Sequence, residues 1–400
     1  MKYIVLVPDG MSDLPIAELN DRTCMEAAHA PNMNMIARKG IVGTVRNVPR
    51  GMTPASDVAN LSILGYDPRK YYCGRGPLEA ANLRVDLGDT DVAFRINTVT
   101  VSDDRMVDYS AGHITSKEAA VLIRLLDKEL GGDKYSFYPG VSYRHLMVVR
   151  CKSREDAEKL AKVRCFPPHD ILDRSIRRHL PKSPELMRLM ERSKEIFRDQ
   201  DINRVRIDLG QNPVTMVWAW GQGMKPDIPR FQDAFGITGG IISAVDLLKG
   251  VGRILGLEVA NVPGATGYYD TDYEGKARAA LDILERNDLV FVHVEAPDEA
   301  GHNGDVREKI RAIENFDRKI TGTIMQVLAD KENYRVVILP DHPTPVKKRT
   351  HTSDPVPFAM AGKGITPDEV TVFSEKAAKA GSVHLKNGSE LMKMLLDLER

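Results

Sequence analysis

Three short apolar runs in this chain each lead into an acid. YIVLVP (3–8) stops at Asp9, LVFVHVEAP (289–297) at Asp298, and RVVILP (335–340) at Asp341. Each run is rich in Val, Ile or Leu and bounded by turn residues, which predicts a buried parallel strand. Between the runs, apolar residues recur at helical spacing, as in YEGKARAALDILERN (273–287), VREKIRAIENFDRKITGTIMQVLAD (306–330) and the closing GSELMKMLLDLER (388–400). A helical stretch near 23–39 precedes the strand-like GIVGTVRNV (40–48). GGIISAVDLLKGVGRILG (239–256) reads as one apolar helix and EVANVPGATG (258–267) as a strand. Alternation of this kind predicts an α/β fold with a mainly parallel sheet.

The pattern changes between about 105 and 236. ITSKEAAVLIRLLDKEL (114–130) and PELMRLMERSKEIFRD (184–199) are amphipathic helices, separated by YSFYPG and YRHLMVVR, a hairpin-like pair, and followed by the strand TMVWAW. Two helices with several short strands predict a small α+β insert. The expected organisation is a discontinuous core, 1–104 with 237–400, interrupted by an insert at 105–236.

The acids matter because ligands of open α/β sheets bind beyond the carboxyl ends of the strands. Asp9, Asp298 and Asp341 would then meet at one sheet edge. His302 lies four residues after Asp298, one helical turn away and on the same face. His342 adjoins Asp341 in DHPTP, where Pro343 and Pro345 force a loop. His351 follows in KKRTHTSDP. Three acids and three of the ten histidines form a hard-oxygen and imidazole inventory suited to two divalent ions, with Mn²⁺, Zn²⁺, Co²⁺ and Mg²⁺ all compatible. Singly, an Asp after a strand is ordinary turn chemistry. His29, His179, His293 and His384 read as surface or packing residues.

Charge and composition narrow the partners. Lys+Arg and Asp+Glu both number 56, and a neutral chain lacks the field that holds nucleic acid. The four cysteines, Cys24, Cys73, Cys151 and Cys165, include no CxxC, which argues against a disulfide framework or a thiolate zinc site. No apolar run approaches the roughly 18–20 residues of a membrane span, and the opening run is too short for a secretory signal. The expectation is a soluble cytoplasmic protein with no membrane partner. A homo-oligomer is compatible with the sequence.

A two-ion centre activates an oxygen nucleophile and clamps phosphoryl oxygens. In RGMTPASD, before the apolar stretch 58–64, Ser56 occupies a helix start. It serves there either as an N-cap or as a nucleophile favoured by the helix dipole. Thr53 and Ser62 are lesser candidates.

PASDVANLSILGYDP with YYCGRGPLEAA, VPDGMSD, VEAPDEAGH, LPDHPTP, THTSDPVPF, WAWGQG and GATGYYDTDYEGKA together resemble the archaeal-type cofactor-independent phosphoglycerate mutases of the alkaline phosphatase superfamily. The resemblance runs from the first strand to the last helix. It implies a metal-dependent isomerase that interconverts 3-phosphoglycerate and 2-phosphoglycerate through a phosphoserine, in glycolysis and gluconeogenesis, without 2,3-bisphosphoglycerate. It makes Ser56 the nucleophile, gives Asp9, Ser56, Asp341 and His342 to one ion, and gives Asp298, His302 and His351 to the other. It also implies a phosphatase-like core with an inserted domain. A mutase must keep water from the phosphoserine, so the insert is expected to act as a lid. Its polar candidates are Arg144 and His145 in SYRHL, His169 and Asp170 in PPHD, His113 in SAGH, and Arg95 and Asn97 in AFRIN. Lys276 is expected to offer a point charge to the phosphoryl group. The ligand set alone equally suits a phosphatase, a phosphodiesterase or a sugar-phosphate mutase. A metal-stabilised binding module is the non-enzymatic alternative.

Overall fold

The computed structural model describes residues 1–329 and 331–397. Asp330 and the last three positions of the closing helical pattern lie outside them. The chain packs as two compact units, Met1–Tyr72 with Ile228–Arg400, and Cys73–Asp227. In chain order the strands are β1 (Lys2–Pro8), β2 (Gly40–Val45), β3 (Asp91–Ser102), β4 (Arg105–Asp108), β5 (Tyr135–Tyr138), β6 (Arg144–Arg150), β7 (Met216–Met224), β8 (Gly239–Ile242), β9 (Glu258–Val259), β10 (Leu289–Val294), β11 (Tyr334–Ile338), β12 (Val356–Gly362) and β13 (Val383–Leu385).

In the first unit, eight strands form one sheet in the order β13-β2-β12-β11-β1-β10-β8-β9. Every pairing is parallel except those of β12, which runs antiparallel to both neighbours. The apolar runs explain the centre of the sheet: Ile4 to Val7, Leu289 to Val292 and Val336 to Leu339 are all essentially inaccessible. Each such side chain contributes about 1.5–3 kcal/mol by leaving water. Strand β1 lies between β11 and β10, with Leu6 beside Ile338 and Pro8 beside Val294. Continuing the β11 register by three residues and the β10 register by one sets Asp9 level with Asp341 and Glu295. Helices including Pro31–Arg38, Tyr273–Arg286 and Val306–Phe316 cover the sheet through a shared core of Met33, Ile36, Ala277, Ala280, Ile313 and Phe316.

Two sequence expectations fail here. Residues 239–256 are not one helix: Gly239–Ile242 is strand β8, paired with β10, and the helix is only Asp246–Ile254. Apolarity on every side suits a sheet strand buried on both faces as well as it suits a buried helix. The expected strand at 258–267 shrinks to Glu258–Val259, because Pro263 and the glycines beyond it turn the chain away.

The second unit is a five-stranded antiparallel sheet in the order β4-β3-β6-β5, with β7 on the other side of β3. Its long central strand β3 begins at Asp91, and the unit itself begins at Cys73, whereas the expected insert starts at 105. Arg95 and Asn97 therefore belong to the second unit's sheet. The helices Ser116–Leu130 and Pro184–Phe197 bury Leu122, Ile123, Leu126, Leu186, Leu189 and Phe197 against that sheet. The first begins with a capping box, in which Thr115 and Glu118 satisfy each other's backbone N–H.

Candidate metal centre

The parallel register of β11, β1 and β10 brings their carboxyl ends side by side, and the acids follow at once. The turn after β1 needs Gly10: its φ is +60°, and a Cβ there would collide with the side chains of Asp298 and Thr344. Its N–H donates to Asp341 Oδ1 at 3.1 Å. Asn60 donates to Asp341 Oδ2 at 2.8 Å. Asp298 lies in the first turn of the helix Ala296–Asn303 and His302 one turn later, and Thr344 donates to the Asp298 carboxylate.

All six strand-end residues gather. Asp298 Oδ2 is 3.2 Å from His302 Nε2, and Asp298 Oδ1 is 3.3 Å from His351 Nε2. The His342 and His351 ring centroids are 3.9 Å apart. His342 Nε2 lies 3.6 Å from Asp9 Oδ1 and 3.5 Å from Asp341 Oδ2. Ser56 Oγ is 3.2 Å from His342 Nε2. Ser56 is the first residue of the helix Ser56–Ile63, not its N-cap; that place is taken by Ala55, which leaves the serine hydroxyl free of a capping role. Thr53 is exposed and Ser62 is buried.

The donors fit a divalent cation. His302 Nδ1 faces the Arg349 carbonyl at 3.1 Å, and His351 Nδ1 faces the Pro54 carbonyl at 3.3 Å. Each ring hydrogen is therefore directed to Nδ1. The two Nε2 atoms then turn their lone pairs toward Asp298 and toward each other, 2.9 Å apart. A carbonyl behind each imidazole and unshared pairs converging in front is the usual environment of metal-bound histidine. Asp9 Oδ1 is buried without a hydrogen-bond partner, which a bound ion would supply. Burial, then Asp341 and Asp298, pushes the Asp9 carboxyl well above its usual range. Burial pushes His342 down to about 4, so its imidazole is neutral at pH 7 and able to ligate.

Three buried residues with no functional role expected from the sequence surround this centre. His293, on β10, is fully buried, with Nε2 3.2 Å from Asp9 Oδ2 and 3.9 Å from Asp341 Oδ2. Glu295 stands behind it. Lys309 is enclosed as well, and donates to Asp13 Oδ2 at 2.9 Å, the Thr344 carbonyl at 2.8 Å and the Ser12 carbonyl at 3.3 Å. One ammonium thus ties the loop after Asp9 to the loop after Asp341. The available signal was a polar residue inside an apolar run, since such a side chain needs a buried partner. His29 and His384 are exposed and His179 is half-buried.

The sequence model described as 2,3-bisphosphoglycerate-independent phosphoglycerate mutase matches residues 37–203. A protein of that name from Methanothrix thermoacetophila is 51% identical over 99% of this chain and 100% of its own. The chain belongs to the 2,3-bisphosphoglycerate-independent phosphoglycerate mutases. A like-named protein from Methanosarcina acetivorans is 49% identical over 99% of this chain and 100% of its own. Among solved structures, a Pyrococcus horikoshii protein superposes with a TM-score of 0.85 at 29% identity, covering 99% of this chain and 97% of its own. The cofactor-independent phosphoglycerate mutase from Thermoplasma acidophilum gives 0.68 at 29% identity, each chain covered in full.

The second unit of this mutase holds most of the expected substrate residues in an aromatic-cationic cluster. The Arg95 guanidinium is buried and lies 5.0 Å from the Trp220 ring centroid, with Arg75 at 5.1 Å. The His169 ring meets the same indole at 5.3 Å. Burial, offset in part by Glu79, brings Arg95 down to about 10. Asn97 accepts from the Trp220 indole N–H at 3.0 Å and donates to the Tyr109 carbonyl at 3.1 Å, so its amide orients the cluster. His113 and Arg144 both lie against the Tyr143 ring. Burial, reinforced by Arg95 and Arg144, pushes His145 down to about 3. Asp170 is exposed beside His169. Arg75 and Trp220 were not singled out from the sequence. Lys276 departs from its expected role: it is fully buried, and its ammonium donates to Glu295 at 2.8 Å and to the His293 carbonyl at 3.2 Å. It is enclosed behind the acids, with no surface for a substrate.

Proposed function

We infer that this chain catalyses the isomerisation of 3-phosphoglycerate and 2-phosphoglycerate, with Ser56 as the group that carries the phosphoryl between the two hydroxyls. The observation that carries this reading is Ser56 Oγ, at the start of a helix, 3.2 Å from His342 Nε2, the nitrogen that also faces Asp9 and Asp341. Helix N-termini favour the negative charge of a phosphoryl group.

Ser56 Oγ attacks phosphorus as the bond to the glycerate oxygen breaks, and the serine proton ends on that oxygen. The glycerate's other hydroxyl then attacks the phosphoserine, and Ser56 regains a proton. Asp9, Ser56, Asp341 and His342 would hold one divalent ion and Asp298, His302 and His351 the other. When bound, such ions lower the hydroxyl pKa and offset charge on the phosphoryl oxygens. Gly10 and Asn60 hold Asp341 in place, and Thr344 holds Asp298. We assign the second unit the task of binding the glycerate anion and excluding water, with Arg75, Arg95 and Arg144 as the grips, because guanidinium groups pair with carboxylate and phosphate in two parallel hydrogen bonds.

The test is incubation with 3-phosphoglycerate and Mn²⁺, without 2,3-bisphosphoglycerate, read through enolase. Formation of 2-phosphoglycerate supports the reading. Release of inorganic phosphate without isomer overturns it in favour of a phosphatase on the same residues.

A further inference from the structure

We propose that Asp9, His293 and Asp341 form a further divalent-cation position, beyond the two assigned above, and that Lys276 and Glu295 orient its imidazole ligand. The proposal rests on the two-ion reading only in treating Asp9 and Asp341 as ligands.

The Asp9 carboxylate looks two ways. Its Oδ1 faces His342 at 3.6 Å, and its Oδ2 faces His293 at 3.2 Å. An ion held by Ser56 and His342 would leave Oδ2 directed at His293. Behind His293, Nδ1 lies 3.3 Å from Glu295 Oε1 and 3.4 Å from Ser243 Oγ. Glu295 accepts only, so the ring hydrogen there belongs to Nδ1. Glu295 is itself fixed: Oε1 accepts from Ser243 Oγ and from the Ala244 and Val245 N–H groups, and Oε2 from Lys276. A carboxylate behind an imidazole is the arrangement that sets the tautomer of metal-bound histidines.

With its hydrogen on Nδ1, His293 presents a bare Nε2 to a carboxylate oxygen. Two electron-rich atoms at that distance, almost wholly withdrawn from water, need positive charge between them. A proton serves only on a line from nitrogen to oxygen. Yet Nε2 is buried without a directed hydrogen bond to anything. Asp9 Oδ2, His293 Nε2 and an Asp341 oxygen instead lie within 4.8 Å of one another. Atoms held roughly 2.0–2.2 Å from one ion stand about 3–3.5 Å apart, which matches the pair at 3.2 Å. A divalent ion supplies that positive charge where the three atoms converge.

The experiment uses the full chain and Mn²⁺ alone. Crystals loaded with MnCl₂ are read by anomalous scattering. A peak within bonding distance of His293 Nε2, besides peaks at Ser56–His342 and His302–His351, supports the proposal. Absence of that peak overturns it, whether or not the other two are present, and those two test the earlier reading separately. Equilibrium dialysis gives a second readout in folded protein. The wild type is expected to bind one more Mn²⁺ per chain than His293→Leu, and Glu295→Gln to weaken that ion alone by about 10–100-fold. Equal Mn²⁺ content in wild type and a folded His293→Leu overturns the proposal.

Discussion

Replacing Lys309 with Met keeps the length of the side chain and removes its charge. The ammonium has three donors, and all three are used, on Asp13, Ser12 and Thr344. Neither Lys309 nor the Asp13 carboxylate has accessible side-chain surface. Removing one partner of a buried ion pair costs about 3–5 kcal/mol, because the other charge stays desolvated. Asp13 keeps donors from the Leu14 and Val346 N–H groups, which places Lys309→Met near the lower end, about 3 kcal/mol. The double variant Lys309→Met/Asp13→Leu should recover most of that loss, since an apolar pair of similar volume often replaces a buried ion pair at little cost. Urea unfolding followed by far-UV circular dichroism measures both. The loops after Asp9 and Asp341 are freed in either variant, so Mn²⁺ affinity should fall about 10-fold in both, in the range of supporting residues around metal sites. A single variant that loses less than about 1 kcal/mol, or a double variant with wild-type Mn²⁺ affinity, refutes the role given to Lys309.

Other expectations follow from the same geometry. Ser56→Ala should lower turnover by at least about 10³-fold, on the order of 4 kcal/mol of barrier, while its melting temperature stays at the wild-type value; a retained rate moves the nucleophile elsewhere. Asp298→Asn should remove one Mn²⁺ per chain by atomic absorption, and unchanged content excludes Asp298 as a ligand. Arg95→Met should raise KM for 3-phosphoglycerate more than it lowers kcat, so an unchanged KM removes Arg95 from substrate binding. Burial lifts Glu375 to about 7. A raised carboxyl pKa contributes stability that is full below about pH 4.5 and is lost as pH rises through 7. Stability relative to Glu375→Gln should therefore decline between those values, by up to about 3 kcal/mol; a difference independent of pH refutes the shift.

Much of the centre was legible because it depends on short-range order. A strand that ends in an acid delivers that acid to the sheet edge, and the spacing from Asp298 to His302 is one helical turn. The placement of β1 between β10 and β11 was not legible, because strand order arises from long-range packing. The burial of His293, Lys276 and Lys309 was hidden for the same reason: a polar side chain reads as solvated until the elements that enclose it are assembled. Strand β8 reads as helix in the sequence because a run apolar on every side carries no period. The second unit's start at Cys73 was not legible, because β6 and β7, the strands that pair with β3, lie far along the chain. Trp220 gave no signal of its own, since its part depends on two arginines from other segments.

On this reading Ser56 carries the phosphoryl group. Acid quenching of the Mn²⁺-loaded chain during turnover of phosphorus-labelled 3-phosphoglycerate, followed by peptide mapping, tests it most directly. Label is expected on the peptide containing Ser56, at that residue, and absent from Ser56→Ala. Label on another residue in the wild type contradicts it, as does full turnover with no labelled protein.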